Sequence, residues 1–242
     1  MDREYIQWYS PALQKNMEML IFGSGGAIVL FFPARMGRFY DYENWRVIEV
    51  LREKIEKRYI QVCCVDSFDC ESFYSSGFHP SQKITRHMQY EQYILQEVMP
   101  FLNKKNPGSF KIVAGCSLGA FHAVNISLRH PGIFNKVIGM SGRYDLAAQI
   151  GHYDDLFDGY WDENVYFNMP TQYLSNLNDE EKLLLIRQAT YVLAVGREDV
   201  VLENNVLLSN MLTEKGISNS LYIWDKEAHQ ARAWRQMVIN YL

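Results

Sequence analysis

From residue 60 to the C-terminus, short β-rich runs alternate with longer helical patterns, and that alternation limits the chain to a small group of folds. Apolar, β-branched runs recur at Ile60–Asp66, Phe110–Ala114, Lys136–Met140, Tyr191–Val195 and Ser220–Trp224. Between them, apolar residues return at three- and four-residue spacing, as in the stretch that opens after Ser81 as N-cap and runs through Tyr90, Ile94 and Val98 towards Leu102. Strands separated by helices need crossover connections, which give a mostly parallel sheet with helices on both faces. Three further strand candidates, Tyr5–Ser10, Glu18–Phe22 and Ala27–Phe32, follow one another without a helix between them. Gly23-Ser24-Gly25-Gly26 reads as a tight turn joining two of these, so the sheet is expected to begin with antiparallel strands.

The remaining helices follow from the same periodicity. Trp45, Ile48, Leu51 and Ile55 predict an amphipathic helix up to about Arg58. Another follows Ser117 and stops at His130-Pro131-Gly132. Asn178 with Glu181 resembles a capping box, a further helix runs from about Glu203 to Gly216, and a last one occupies the C-terminus. The expectation is one α/β domain spanning residues 1–242 with an eight-stranded sheet.

Composition narrows the function classes. The chain has 242 residues, 48% hydrophobic and 21% charged, a mixture that buries a core and is not that of a disordered chain. Its 24 Lys+Arg against 28 Asp+Glu give a net charge of −4 with no basic block, which argues against nucleic acid as a partner. The first residues lack a basic segment followed by an apolar one, and the longest apolar run, Ala27 to Phe32, is far shorter than the roughly 20 residues that cross a bilayer. A cytoplasmic location with no membrane partner is expected. Among four cysteines there is no C-x-x-C pair, so zinc-ribbon and thioredoxin motifs are unsupported and reduced thiols are expected. Cys63 and Cys64 are adjacent within a strand-like run and should point to opposite faces of the sheet.

The chemistry concentrates in Gly115-Cys116-Ser117-Leu118-Gly119, a G-x-S-x-G preceded by an apolar strand pattern and followed by an Ala-rich helical one. That setting is what a nucleophile elbow requires, with Ser117 on a strained turn above the sheet and the flanking glycines allowing strand and helix to approach. A serine hydroxyl needs a base. Of six histidines, His229 follows the last strand and precedes the last helix, which fits the order nucleophile, acid, histidine. His122 reads as a packed helical residue and His130 as a helix end, while His79 lies in a loop after a strand and could line the site. Asp199, on the loop after Tyr191–Val195, is the expected acid, with Glu198 the near competitor and Asp225 a distant one. An oxyanion hole would use the backbone N–H of Leu118 and one from the loop Phe32-Pro33-Ala34-Arg35-Met36-Gly37. Pro33 has no N–H, so that donor is Arg35, with Ala34 as the alternative. Such a triad calls for no metal or other cofactor.

The Ala114-Gly-Cys-Ser117-Leu-Gly-Ala elbow, Ser141-Gly-Arg-Tyr-Asp145, Ala194-Val-Gly-Arg-Glu-Asp199 and Ala228-His229 before Trp234 resemble the Putative esterase family. Its members include esterase D-type, feruloyl, enterochelin and mycolyl-transfer enzymes on the α/β-hydrolase fold. After the histidine many relatives carry an Asp and an aromatic residue, where this chain has Gln230-Ala231. The resemblance implies a serine esterase acting on a small soluble substrate through an acyl-enzyme. Thioesterase or acyltransferase chemistry on the same triad is one alternative, and a non-catalytic binding protein of the same fold is the other.

The stretch from Tyr144 to Tyr173 is long for a connection and rich in Tyr, Phe, Trp and Asp. It reads either as a lid over the site, extending over 144–180, or as an irregular segment packed by its own aromatics. In the lid reading Trp161 and Tyr144 contact substrate, and the acidic residues of the segment favour a neutral or cationic alcohol group over an anionic one.

Overall fold

The alternating runs form one sheet, which the computed structural model describes together with every other residue from Met1 to Leu242. Its strands are β1 (Arg3–Ser10), β2 (Lys15–Phe22), β3 (Ala27–Phe32), β4 (Ile60–Val65), β5 (Lys111–Cys116), β6 (Lys136–Met140), β7 (Thr190–Gly196) and β8 (Asn219–Trp224). They lie in the order β1-β2-β4-β3-β5-β6-β7-β8. β2 is antiparallel to β1 and to β4, and every other neighbouring pair is parallel.

The sheet begins with antiparallel strands, as expected. The glycine-rich turn at 23–26 does join β2 to β3, but these strands are not partners, because β4 lies between them. The β1–β2 hairpin instead turns through residues 11–14, where the Gln14 N–H donates to Ser10 O at 2.8 Å. A run of glycines bends the chain sharply whether or not the strands it joins are paired.

The helices are α1 (Asp41–Asn44), α2 (Val47–Val50), α3 (Arg52–Glu56), α4 (Pro80–Tyr93), α5 (Met99–Lys105), α6 (Leu118–Arg129), α7 (Glu163–Tyr166), α8 (Pro170–Tyr173), α9 (Glu180–Ile186), α10 (Leu202–Glu214) and α11 (Ala231–Tyr241). A wider helical turn at Ile94–Val98 makes α4 and α5 nearly continuous. The single helix expected up to Arg58 is three short ones, since Arg46 takes a left-handed conformation (φ 59°) that ends α1 and restarts the chain at α2. α4 is capped by His79, not Ser81, with Pro80 in its first turn. α9 is capped by Asp179, whose carboxylate accepts the Lys182 N–H at 3.1 Å, one residue past the expected Asn178. None of the helices is long and apolar enough to cross a membrane.

Alternation along the central strands divides the core between the two faces of the sheet. Leu30, Cys63, Val113 and Leu193 face α4, α5, α6 and α10, whereas Phe31, Cys64, Ala114 and Ala194 face α1–α3 and α11. Cys63 and Cys64 thus lie on opposite faces, as expected, and all four cysteines are free thiols. A smaller apolar cluster holds the β6–α9 connection against the body of the protein: Leu146, Phe157, Val165 and Met169 pack on Phe73, Ile84, Leu118 and Phe121. Burying side chains of this size contributes about 1.5–3 kcal/mol each, so the connection is fastened at several points.

Candidate active site

Ser117 occupies the turn between β5 and α6 with φ 56° and ψ −122°, a conformation that a non-glycine residue adopts only when its surroundings impose it. The surroundings are specific. The Ser117 N–H donates to Met140 O at 2.8 Å, and the Cys116 N–H donates to the Tyr42 hydroxyl at 3.0 Å. That hydroxyl donates in turn to Phe32 O at 2.7 Å, so the buried Tyr42 ties the ends of β3 and β5 together. A Cβ on Gly115 would collide with the backbone of Gly119, and one on Gly119 with the carbonyl of Phe32. Both glycines are therefore required for the strand, the turn and the helix to pack.

Asp199 and His229 come together from the loops after β7 and β8. His229 Nδ1 lies 3.0 Å from Asp199 Oδ2, and Asp199 Oδ1 accepts the Val201 N–H at 3.2 Å. Asp199 is buried, while the neighbouring Glu198 is exposed. With Nδ1 engaged by the carboxylate, Nε2 is the nitrogen left for other partners. Ser141 Oγ donates to Ala228 O at 3.4 Å and accepts the Trp234 indole N–H at 3.3 Å, holding the loop that carries His229.

Ser117 and His229 line the same cavity of about 350 Å³ at the C-terminal ends of the strands. Leu118 and Arg35 line it too, whereas Ala34 does not. The loop bearing Arg35 is fixed on its far side: the Met36 N–H donates to Asp69 Oδ2 at 2.7 Å, and the Gly37 N–H donates to Ala34 O at 2.8 Å. The opposite wall comes from the connection after β6, through Arg143, Leu146, Tyr153 and Leu156. Burial pushes the Tyr153 phenol up, and the nearby Asp199 carboxylate adds to that.

Three residues expected at the substrate are elsewhere. Trp161 is 62% exposed and packs on Tyr166, away from the cavity lining. Tyr144 is fully buried in the core beneath the site, where its ring fills the space beside Gly139 and Gly142. His79 is exposed and occupied as the cap of α4, its Nδ1 accepting the Ser81 N–H at 3.3 Å. The expected acidic wall is also mostly absent. Asp155 accepts the N–H groups of Phe157 and Gly159, and Asp162 caps α7, so of these carboxylates only the exposed Asp154 borders the cavity. Sequence reasoning did not single out Tyr74, Arg143, His152 or Tyr153 as cavity residues. For Arg143, its place directly after the Ser141-Gly142 turn at the end of β6 was an available signal, since strand C-termini line sites in this architecture.

The strand order, with Ser117 emerging from a central strand and Asp199 and His229 from the loops after β7 and β8, is that of the α/β-hydrolase class. Residues 40–237 match the family described as "Putative esterase". The chain belongs to that family and is a carboxylic ester hydrolase. Solved structures with the same fold include a ferulic acid esterase, with 16% identity, a TM-score of 0.78 and coverage of 99% of this chain and 95% of that one. An S-formylglutathione hydrolase from Agrobacterium tumefaciens has 13% identity and a TM-score of 0.76, covering 98% and 92%. A fluorophosphonate-binding serine hydrolase from Staphylococcus aureus has 13% identity and a TM-score of 0.71, covering 99% and 96%. No curated protein matches the chain.

Proposed function

We propose that the chain is a serine esterase of a small soluble substrate, with Ser117 as nucleophile, His229 as general base and acid, and Asp199 as the group that orients the imidazole. The observation carrying this reading is that the strained Ser117 and the Asp199-bound His229 open on one cavity. In the reaction, Ser117 Oγ attacks the ester carbonyl carbon while its proton passes to His229 Nε2. Asp199 stabilises the resulting imidazolium, and the Leu118 and Arg35 backbone N–H groups donate to the carbonyl oxygen as it becomes an oxyanion. Collapse breaks the bond to the alcohol oxygen, which takes the proton from His229 and leaves an acyl-enzyme on Ser117. Water then attacks the acyl carbon, giving a proton to His229, and collapse breaks the bond to Ser117 Oγ, which takes that proton back as the acid leaves. No hydrogen bond joins Ser117 Oγ to His229 Nε2 in this structure; such contacts commonly shorten when substrate binds.

Incubation with a fluorophosphonate probe and a panel of p-nitrophenyl esters tests the reading. Labelling of the wild-type chain, loss of labelling in Ser117→Ala, and turnover of at least one ester are expected. Absence of both labelling and turnover would remove the serine mechanism. The likeness to S-formylglutathione hydrolases motivates one added comparison. Turnover of matched oxygen and sulfur esters, with and without an alcohol acceptor, separates esterase from thioesterase and acyl-transfer activity on the same residues.

A further inference from the structure

Arg143 is only 7% exposed, yet it lines the cavity that holds Ser117. Its Nε donates to Asp145 O at 2.9 Å, and its Nη2 faces three more carbonyls, those of Leu146 (3.2 Å), Ala148 (2.6 Å) and Asp154 (2.7 Å). Four backbone oxygens thus hold the guanidinium plane, and none of them carries a neutralising charge. No carboxylate forms an ion pair with Arg143, and its Nη1 has no protein partner. Burial pulls its pKa down from the usual arginine value, but a guanidinium starts so high that it stays charged. A fixed guanidinium with no ion-pair partner and an N–H pair left free beside a cavity is placed to donate to an anion bound there.

A second guanidinium borders the same space. Arg35 is exposed, without an ion-pair partner, and lies over the Tyr74 ring at 5.6 Å from its centroid. Arg143 lies over Tyr153 at 5.8 Å. The carboxylates nearby make their hydrogen bonds elsewhere: Asp145 accepts from the Ala147 N–H and Gln172 Nε2, Asp155 from the Phe157 and Gly159 N–H groups, Asp199 holds His229, and Asp154 is exposed on the rim, while the charges of Asp145 and Asp155 favour the charged form of Arg143. Among the charged side chains that line the cavity, two arginines stand with one aspartate, where the acidic composition of the connecting segment suggested the reverse.

Building on the serine-esterase reading, we propose that Arg143 and Arg35 form an anion subsite, and that the substrate is an ester carrying a carboxylate or phosphate group a few bonds from the scissile carbonyl. Arg143 supplies the fixed donor, pre-oriented by the four carbonyls, and the exposed Arg35 closes over the anion from the rim. The cavity volume suits a substrate portion of small-metabolite size.

The experiment compares neutral and anionic esters that match in shape. p-Nitrophenyl valerate against p-nitrophenyl hemiglutarate places the carboxylate on the acyl side. p-Tolyl acetate against p-acetoxybenzoate and p-acetoxyphenyl phosphate places a carboxylate or a phosphate on the alcohol side. In at least one comparison kcat/KM for the anionic ester should exceed that of its neutral match by about tenfold or more, the range of a charge-assisted hydrogen bond. That ratio should fall as salt is raised, and should fall again in Arg143→Lys and in Arg35→Gln, each variant being measured on both esters of the pair. Arg143→Lys can lose stability because it abandons several carbonyls; the Arg35 variant and the salt dependence of the wild type then decide. Turnover with ratios at or below one in every comparison overturns the subsite and leaves the esterase reading intact. Absence of turnover and of fluorophosphonate labelling in the wild type overturns the esterase reading, and the subsite falls with it.

Discussion

Two histidines of this chain sit beside buried aspartates, and the contrast between them sets the pair proposed for catalysis apart from one enclosed in the core. His229 Nδ1 is 3.0 Å from Asp199, on loops at the mouth of the cavity, and the imidazole keeps 14% of its surface exposed. His122 Nε2 is 3.6 Å from Asp69, with 5% and 2% of the side chains exposed. It stands on α6, the helix that leads away from Ser117, and Phe32, Phe73, Tyr90 and Phe121 surround it. Asp69 spends its other oxygen on the Met36 N–H and so braces the loop that carries Arg35. A histidine–carboxylate pair is therefore not itself a sign of catalysis. What distinguishes His229 is the open cavity it shares with a strained serine.

The largest test of that contrast is Asp199→Asn. Loss of the tautomer and orientation of His229 should lower kcat by about 10⁴-fold with the fold retained by circular dichroism. Glu198→Gln, at an exposed position next in sequence, should stay close to wild type in the same assay. The reverse ranking would move the acid role to Glu198. Asp69→Ala should act more weakly and through the loop: with the Met36 N–H released, the Arg35 N–H proposed for the oxyanion hole loses its fixed position, and kcat should fall roughly 10- to 100-fold with little change in KM. An Asp69 variant as damaged as Asp199→Asn would mean the two pairs are not functionally distinct.

The buried side of the comparison should announce itself through pH. His87, packed with Phe73, Phe121 and His122, is pulled down to about 3, chiefly by burial, against the opposing charge of Glu91. Its folded form stays neutral while the unfolded chain, with an ordinary value near 6.5, takes up a proton as pH falls. Stability tied to this group is present above about pH 6.5 and is lost on acidification, by about 2 kcal/mol between pH 7 and pH 5. Glu91 adds to the acid loss lower down. Burial alone would push it up, but the hydrogen bond from His130 and the charges of His87, Arg129 and His130 outweigh this and hold it at about 2, so its contribution fades below the usual carboxylate range. Chemical denaturation of wild type and His87→Gln at both pH values checks the first part: the wild type should lose the extra stability and the variant should not. Equal losses in the two proteins would remove His87 as the source.

How much of this was legible in the sequence follows from how local each signal is. The elbow could be read because two glycines, a serine and a strand-to-helix change fall within a few residues, and Asp199 and His229 could be placed because chain order fixes which strand each loop follows. The position of β4 between β2 and β3 could not be, since a glycine turn records a reversal of the chain but not which strand later fills the gap. The break at Arg46 was hidden because the apolar spacing of Trp45, Ile48 and Leu51 suits one helix or several turns equally well. Arg143 was hidden for a different reason. Its four carbonyl partners belong to a connection with no periodicity, and only the folded loop brings them around one guanidinium.

The connection from 144 to 180 gives the smallest predicted effect and divides into two parts. Its first part, through Leu146, Tyr153 and Leu156, walls the cavity, with the Tyr153 ring 6.1 Å from that of His229. Its later part, through Trp161 and Tyr166, packs on itself and on α4 while Trp161 remains largely exposed. If the aromatic residues act as substrate walls only where they border the cavity, Tyr153→Ala should lower kcat/KM by about tenfold, the loss expected when an aromatic contact beside the reacting groups is removed. Trp161→Ala should then leave kcat/KM within about twofold of wild type and stability within about 0.5 kcal/mol, as for an exposed substitution away from special features. Steady-state kinetics on the best ester of the panel measures both variants under one condition. A Trp161→Ala loss comparable to that of Tyr153→Ala would require the later part to fold over the cavity when substrate is bound, and the lid would then extend beyond the wall seen here.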